Sequence, residues 1–479
     1  MGSKVKVLSN FLWRFAERCG AQLVQFVVSI ILARILAPEV YGSVALITVF
    51  TTILNVFVDS GMANALIQKK ETDDLDFSTV FYFNMGMCLV LYLAIFFMAP
   101  GLARFYKKTE LVPVIRVLCL TIVISGLKNV QQAYVSRNMQ FKRFFFSTII
   151  GTAGSAVVGI AMACMGFGIW ALVGQQLFNI CIDTLILWIT VKWRPKKMFS
   201  FNRLKSLFAF GWKLLVSALL DTIYNNLRQL LIGRFYSSAD LAYFNRGKQF
   251  PYLIITNINT SIDSVLLPAM SREQDDVSRV RTMTKRAIKT STYIISPMMI
   301  GLVACSEPLV RFLLTEKWIE CIPYMRIFCI AFIFYPIHTA NLNAMKALGR
   351  SDLFLILEIC KKVLGVVVIL CTVWHGTLVI AYSLLIECFV SIAINSWPNG
   401  KLLNYGVAEQ MLDILPAFVL SVVMGIVIYP ILLLHLSDII SIILMIFAGI
   451  IVYLIGSVAF RLDSFFYLLG IVQSFRKKN

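Results

Sequence analysis

The chain has 479 residues, 59% hydrophobic and only 14% charged, and its mean hydropathy is +0.81. Soluble domains run at about 45–50% apolar and about 25% charged, so this composition excludes a soluble enzyme, a disordered chain and a disulfide scaffold, and leaves a polytopic membrane protein. Against that apolarity stands a formal net charge of +19, from 44 Lys and Arg over 25 Asp and Glu.

A helix needs about 20 mainly apolar residues to cross about 30 Å of hydrocarbon. Fourteen such segments follow one another: 11–36, 41–66, 78–100, 112–136, 144–166, 168–191, 207–232, 245–270, 288–314, 322–345, 353–374, 376–398, 411–434 and 436–460. The count depends most on two short joins, Met165-Gly166-Phe167-Gly168 and His375-Gly376. Backbone polar groups in lipid must be satisfied within the segment, so helices are expected, and the runs are too long and uniformly apolar for outer-membrane strands. The basic start, Met1 to Lys6, leads into a long segment carrying Arg14, Glu17 and Arg18 with no small-residue cleavage site, so it reads as a span and not as a cleaved signal peptide.

Lys and Arg in short loops set orientation. With the N-terminus inside, 26 of the 44 basic residues fall on the cytoplasmic side, including Lys4, Lys6 and those of 192–205 and 272–289, and about seven fall outside. An even number of spans with both termini cytoplasmic follows. The basic loops are assigned to topology and anionic-lipid contact, and no nucleic-acid partner is expected. The eleven Cys form no CxxC pair and only three His occur, so neither a metal site nor a disulfide framework is expected. His338, His375 and His435 lack a Ser or Cys partner at a recognisable spacing, and no P-loop or Gly-rich dinucleotide motif is present. No enzyme activity and no cofactor are expected. Energy for any transport must then come from an ion gradient, the membrane potential or the substrate gradient.

The sequence repeats itself. Trp13-Arg14 corresponds to Trp212-Lys213, Arg34 to Arg234, and Gly42 to Ala242. Asn55 and Asp59-Ser60 correspond to Asn259 and Asp263-Ser264, and Pro113, Arg116 and Cys119 to Pro323, Arg326 and Cys329, with an offset drifting from 199 to 210. A six-span repeat has an even number of crossings, so both copies share one orientation, as in parallel-repeat transporters. The expected fold is all-α: a six-helix lobe over 1–192, a second over 193–399, and two further helices with a basic tail over 400–479.

Polar residues inside the spans repeat too. Segment one carries Arg14, Arg18, Gln22, Gln25 and Ser29, and segment seven carries Lys213, Ser217, Asp221, Asn225 and Arg228, all at spacings of 3 or 4 that share one helix face. Segment two offers Thr48, Thr52, Asn55 and Asp59, segment eight Thr256, Asn259 and Asp263, and segments four and ten Lys128 with Gln131 and His338 with Asn341. Charge at membrane depth costs about 2.5–3.5 kcal/mol per residue on insertion scales. Such stripes either bind the bundle together, as Arg14 with Glu17 or Asp59 would, or line a hydrated cavity between the lobes. Eleven basic against seven acidic residues lie in the spans. A net-positive cavity suits a phosphate-bearing substrate, because guanidinium binds phosphate through charge-assisted, often bidentate hydrogen bonds. Asp59, Asp221 and Asp263 are candidates for cation or proton coupling.

The stretch Phe11-Leu12-Trp13-Arg14-Phe15-Ala16-Glu17-Arg18 is followed by Ile31-Leu32-Ala33-Arg34-Ile35-Leu36-Ala37-Pro38-Glu39-Val40-Tyr41-Gly42. It is echoed by Ile232-Gly233-Arg234, Leu241-Ala242-Tyr243-Phe244-Asn245-Arg246 and the stretch from Asn341 to Arg350. These residues resemble the polysaccharide transporters, Wzx-type lipid-linked oligosaccharide flippases of the MOP superfamily, of the colanic-acid and teichuronic-acid exporter kind. The resemblance covers nearly the whole chain. It implies fourteen helices, a cationic central cavity and alternating access in a bacterial cytoplasmic membrane. The implied substrate is an undecaprenyl-pyrophosphate-linked oligosaccharide moved to the outer leaflet, and the implied partners are the bilayer and a polysaccharide polymerase or export machinery. It places cavity cations at Arg14, Arg18, Lys128, Arg228 and Arg246, beside the polar Gln22, Gln25 and Asn225, and a groove for a prenyl tail at segments thirteen and fourteen. Two other readings remain open. A cation-coupled drug or metabolite exporter of the same superfamily would favour an acidic or aromatic cavity. A membrane glycosyltransferase, polymerase or ligase would need a larger outside loop than the dozen residues found.

Overall fold

The structure, a computed structural model, describes residues 2–59 and 62–478; Ser60 of the repeat and the side chains of Lys4 and Lys6 lie outside that description. Among the described residues it is all-helical. In chain order come α1 (Gly2–Ile35), α2 (Pro38–Asp59), α3 (Met62–Gln68), α4 (Asp74–Phe105), α5 (Leu111–Leu118), α6 (Leu120–Arg137), α7 (Lys142–Cys164), α8 (Ile169–Thr190) and α9 (Phe201–Phe235). Then follow α10 (Ser238–Arg272), α11 (Val277–Ala304), α12 (Ser306–Leu314), α13 (Ile322–Ile333), α14 (Tyr335–Ala347), α15 (Ser351–Thr372), α16 (Thr377–Leu402), α17 (Val407–Ile428), α18 (Asp438–Ala459) and α19 (Asp463–Lys478). The chain forms two compact units, Met1–Ala242 and Tyr243–Asn479.

Side-chain caps start several of these helices. Asp73 and Asp76 form a reciprocal capping box at α4, Ser200 caps α9 and Asp276 caps α11. The two short joins of the sequence are real breaks between α7 and α8 and between α15 and α16. Gly168 (φ +54°) and Gly376 (φ +108°) take up backbone that a side chain would strain.

Twelve stretches among the described residues are long and apolar enough to cross a membrane. A thirteenth is α9, bent by 49° between Phe201–Ala209 and Gly211–Phe235. The remaining expected span coincides with α15, whose every eighteen-residue stretch contains Glu358, Lys361 and Lys362; Lys361 is bonded to Glu358 at 2.5 Å. Several expected single spans are jointed: α5 and α6 meet at Cys119, α11 and α12 at Cys305, and α13 and α14 at Phe334. Arg461–Asn479, expected as a basic tail, contributes the helix α19.

The spans pack as lipid-embedded helices do, small and polar residues inward and apolar residues outward. In α18 the buried line is Ser441, Met445, Gly449, Tyr453 and Ser457, one residue every helical turn. Its exposed side carries Ile443, Phe447, Ile450, Leu454 and Val458, which in water would form an unstable apolar patch. In the first unit, Val28 and Leu32 of α1, with Leu36 just beyond its end, meet Ala156 and Ala163 of α7 and Ala171 of α8.

Candidate functional site

In the first unit the polar stripe of α1 meets polar residues of five other helices at membrane depth. Two adjoining cavities of about 390 and 440 Å³ share Gln25 of α1, Thr48 and Thr52 of α2, and Gln175 and Gln176 of α8. Asn226 and Gln229 of α9 close one of them. Lys128 of α6, Thr152 and Ser155 of α7, Asn55 and Asn179 line the other. Amides and hydroxyls dominate this lining, so the surface offers hydrogen-bond donors and acceptors together.

The sequence-derived cations are held in different ways. Arg14 donates to Glu17 at 2.5 Å and lies over Phe144, while Glu17, almost fully buried, also accepts from Thr148 at 3.2 Å. Arg18 is exposed on α1 and forms no ion pair among the described residues. Lys128 reaches the cavity while bonded to Asp183 of α8 at 2.8 Å. Asp221 and Arg228 are half-buried on α9, where Asn225 is exposed beside the cavity-lining Asn226. Gln22 is half-buried, one turn from Gln25.

In the second unit Arg246 is 5% exposed, stacked over Trp318 and donating to Gln249 at 2.6 Å. The repeat reappears as geometry. Asn129 of α6 donates to Asp59 at 2.9 Å, and Asn343 of α14 donates to Asp263 at 2.8 Å. Arg116 and Arg326 each donate through Nε to a partner twenty residues earlier, the Phe96 carbonyl and the Ser306 hydroxyl. Gln131 and Asn341, read from the stripes, fasten helices together: Gln131 donates to the Trp193 carbonyl, and Asn341 bonds Ser396 and Gln410.

The second unit also carries an apolar cavity of about 580 Å³ between α10, α11, α17 and α18. Tyr293, Met298, Met424, Met445 and Gly449 are among its walls. The hydroxyls of its two tyrosines bond within the protein, Tyr293 with Ser457 and Tyr453 to the Tyr293 carbonyl. Sequence reasoning missed Gln175, Gln176, Asn179, Thr152 and Ser155. Their signal is a run of polar residues at helical spacing in otherwise apolar segments five and six.

Polar cavities and an apolar groove in a bundle of membrane-spanning helices define a transporter-like integral membrane protein. The polysaccharide biosynthesis protein family matches residues 31–323, well over half of the chain, and the chain belongs to it. It is 24% identical over 384 residues to the teichuronic acid biosynthesis protein TuaB of Bacillus subtilis, spanning 79% of each chain. It is 23% identical over 359 residues to the lipopolysaccharide biosynthesis protein WzxC of Escherichia coli, covering 74% of this chain and 72% of that one. The fold matches the lipid II flippase MurJ in an inward closed conformation with a TM-score of 0.76 at 16% identity, over 94% of this chain and 99% of that one. An inward-facing multidrug resistance MATE family transporter of the MOP superfamily matches at TM-score 0.62 and 17% identity, over 80% and 96%. The resemblance to polysaccharide transporters is thereby borne out, as is the all-α polytopic membrane fold.

Proposed function

We propose that the chain moves an undecaprenyl-pyrophosphate-linked oligosaccharide from the inner to the outer leaflet of a bacterial cytoplasmic membrane, by alternating access of a cationic central cavity, for cell-surface polysaccharide synthesis. One observation carries this reading. A single chain holds an amide- and hydroxyl-rich cavity at membrane depth and, separately, an apolar cavity of about 580 Å³. An amphiphile with a sugar head and a hydrocarbon tail needs both.

In this reading the cavity amides bond the sugar hydroxyls, and Arg14, Arg18, Lys128, Arg228 and Arg246 serve the diphosphate. Arg18, exposed and without a carboxylate partner among the described residues, meets it first. Arg14 and Lys128 exchange Glu17 and Asp183 for it. The groove at α17 and α18 takes the prenyl tail. Asp59, Asp221 and Asp263 couple the cycle to a cation or proton. Both termini lie in the cytoplasm, as the 26 to 7 division of basic residues favours, and a polymerase or export assembly receives the delivered lipid.

The test is a proteoliposome assay with labelled lipid-linked oligosaccharide and an external sugar-modifying enzyme. Protein-dependent exposure of the sugar is expected, and Arg18→Gln with Arg228→Gln should reduce it without reducing expression. Protection that stays the same with and without protein refutes the reading, and transport of a drug cation in its place supports the exporter alternative.

A further inference from the structure

A third polar region lies at the other end of the second unit's groove helices. The first turns of α11 present Arg281, Lys285, Arg286 and Lys289 to a cavity of about 500 Å³ walled by the start of α17 and by α19. Within it Arg281 bonds Glu409 through one nitrogen at 3.2 and 3.1 Å, and Lys285 bridges Glu409 at 3.0 Å and Asp413 at 3.1 Å. Lys289 meets Asp463 at 2.9 Å, but that carboxylate is 83% exposed, and such a pair is weak and easily exchanged. Arg286 lies 4.4 Å above the Tyr467 ring and has no carboxylate partner among the described residues. Hydroxyls of Ser278, Thr282 and Ser464 complete the wall, and the first turn of α19 adds its partial positive charge.

This basic cavity continues into an apolar one of about 450 Å³, which shares Lys289, Asp463 and Ser464 with it. The second cavity follows α17 from Asp413 to Val423. The ten steps from one to the other rise about 15 Å, half of a bilayer's hydrocarbon thickness of about 30 Å. The pair therefore has the dimensions of one leaflet: a cationic, hydroxyl-lined head site at the interface and an apolar channel as deep as an acyl chain.

We infer that the pocket between α11, α17 and α19 binds an anionic glycerophospholipid of the bilayer. Its phosphate is held by Arg286 and Lys289, and its acyl chain lies against Tyr293, Pro416, Leu420 and Val423. Binding displaces Asp463 from Lys289 and ties α19 to the spans through the lipid. Basic pockets between transmembrane helices are established sites for such head groups. The one-leaflet depth favours a bilayer lipid over a longer carrier lipid.

Purified full-length protein, delipidated in neutral detergent, is titrated with headgroup-labelled phosphatidylglycerol, with phosphatidylcholine and a polyprenyl diphosphate as competitors. Saturable binding that phosphatidylcholine does not displace is expected. Arg286→Gln with Lys289→Gln should weaken it roughly 25-fold, because each interfacial cation is worth about a factor of five. Asp463→Asn removes the competing carboxylate and should tighten binding severalfold. Equal displacement by phosphatidylcholine overturns the inference, as does displacement by the polyprenyl diphosphate at far lower concentration than by phosphatidylglycerol. If the double variant fails to fold, Asp463→Asn decides alone: unchanged or weaker binding overturns the site.

Discussion

Gly42→Ala isolates one contact of the first unit. Gly42 lies in the second turn of α2, and a Cβ there would sit 1.7 Å from the carbonyl oxygen of Ser238, 2.5 Å from its carbon and 3.0 Å from its Cα. Ordinary contact begins near 3.4 Å, so the obstacle must retreat by half that distance, and it is backbone, with no rotamer to give way. The same place is tied by Lys108, whose Nζ donates to Ser43 at 3.1 Å and to Ser238 at 2.5 Å. Overpacking costs about 1–3 kcal/mol, and weakening two hydrogen bonds adds about 1–2 kcal/mol. Against this, Ala gains about 1 kcal/mol over Gly in helix propensity. The net expectation is a loss of about 2–3 kcal/mol, or on the order of 5–10 °C in Tm for a unit of this size. Gly86→Ala on α4 is the control: nothing lies within 4 Å of a Cβ there, so only the gain of about 1 kcal/mol remains. Thermal melting of both variants in one detergent is the assay. A Gly42→Ala protein that melts at or above the wild type would refute the packing argument.

Three further outcomes are expected. Asp183→Asn strands Lys128, since the two side chains are only 11% and 17% exposed; breaking such a pair costs about 3 kcal/mol, and adding Lys128→Met should recover most of the melting temperature. Lys289 bonds the Asp463 carboxyl and holds its pKa below the usual 3.8. A depressed carboxylate contributes stability that is fully present above its ordinary pKa and is lost as pH falls through the lower, folded value. A spin-label distance between α11 and α19 should therefore stay constant at neutral pH and lengthen in that acid range, and Asp463→Asn should remove the response. Gly449 faces the apolar groove, with Met424 Sδ 3.6 Å from a Cβ placed there. Gly449→Ala should melt like the wild type, whereas Gly449→Phe fills the groove and should abolish oligosaccharide-lipid movement at equal expression; unimpaired movement would detach the groove from the tail.

Periodicity made the spans legible because a membrane crossing imposes its pattern over some twenty residues. A break within a crossing leaves a much shorter mark. At Cys119 the apolar sequence continues while the helix does not, and at Cys305 and Phe334 the mark is a single proline, Pro308 or Pro336, in the first turn of the next helix; neighbouring helices satisfy what each break exposes. The same limit explains the basic residues Arg281, Lys285, Arg286 and Lys289. Counted as interfacial charge they give orientation, but only helical geometry puts them on one face, with α17 and α19 opposite.

The repeat was legible residue by residue, yet its structural content was not. Sequence alignment picked out Asp59 and Asp263 but passed over their partners, because Asn129 and Asn343 lie 70 and 80 residues further on and match at a slightly different offset from their neighbours. Once folded, each aspartate accepts from an asparagine on the fourth crossing of its own repeat, so what the two halves share is a hydrogen bond and not merely a residue type. The partner of each aspartate is thus a neutral amide, whereas Lys128 lies against a carboxylate, that of Asp183, at 2.8 Å. That contrast separates the in-span charges by partner. Arg14 and Lys128 are ion-paired, to Glu17 within α1 and to Asp183 across from α6 to α8. Asp59 and Asp263 are held by amides, and Arg18 forms no ion pair among the described residues.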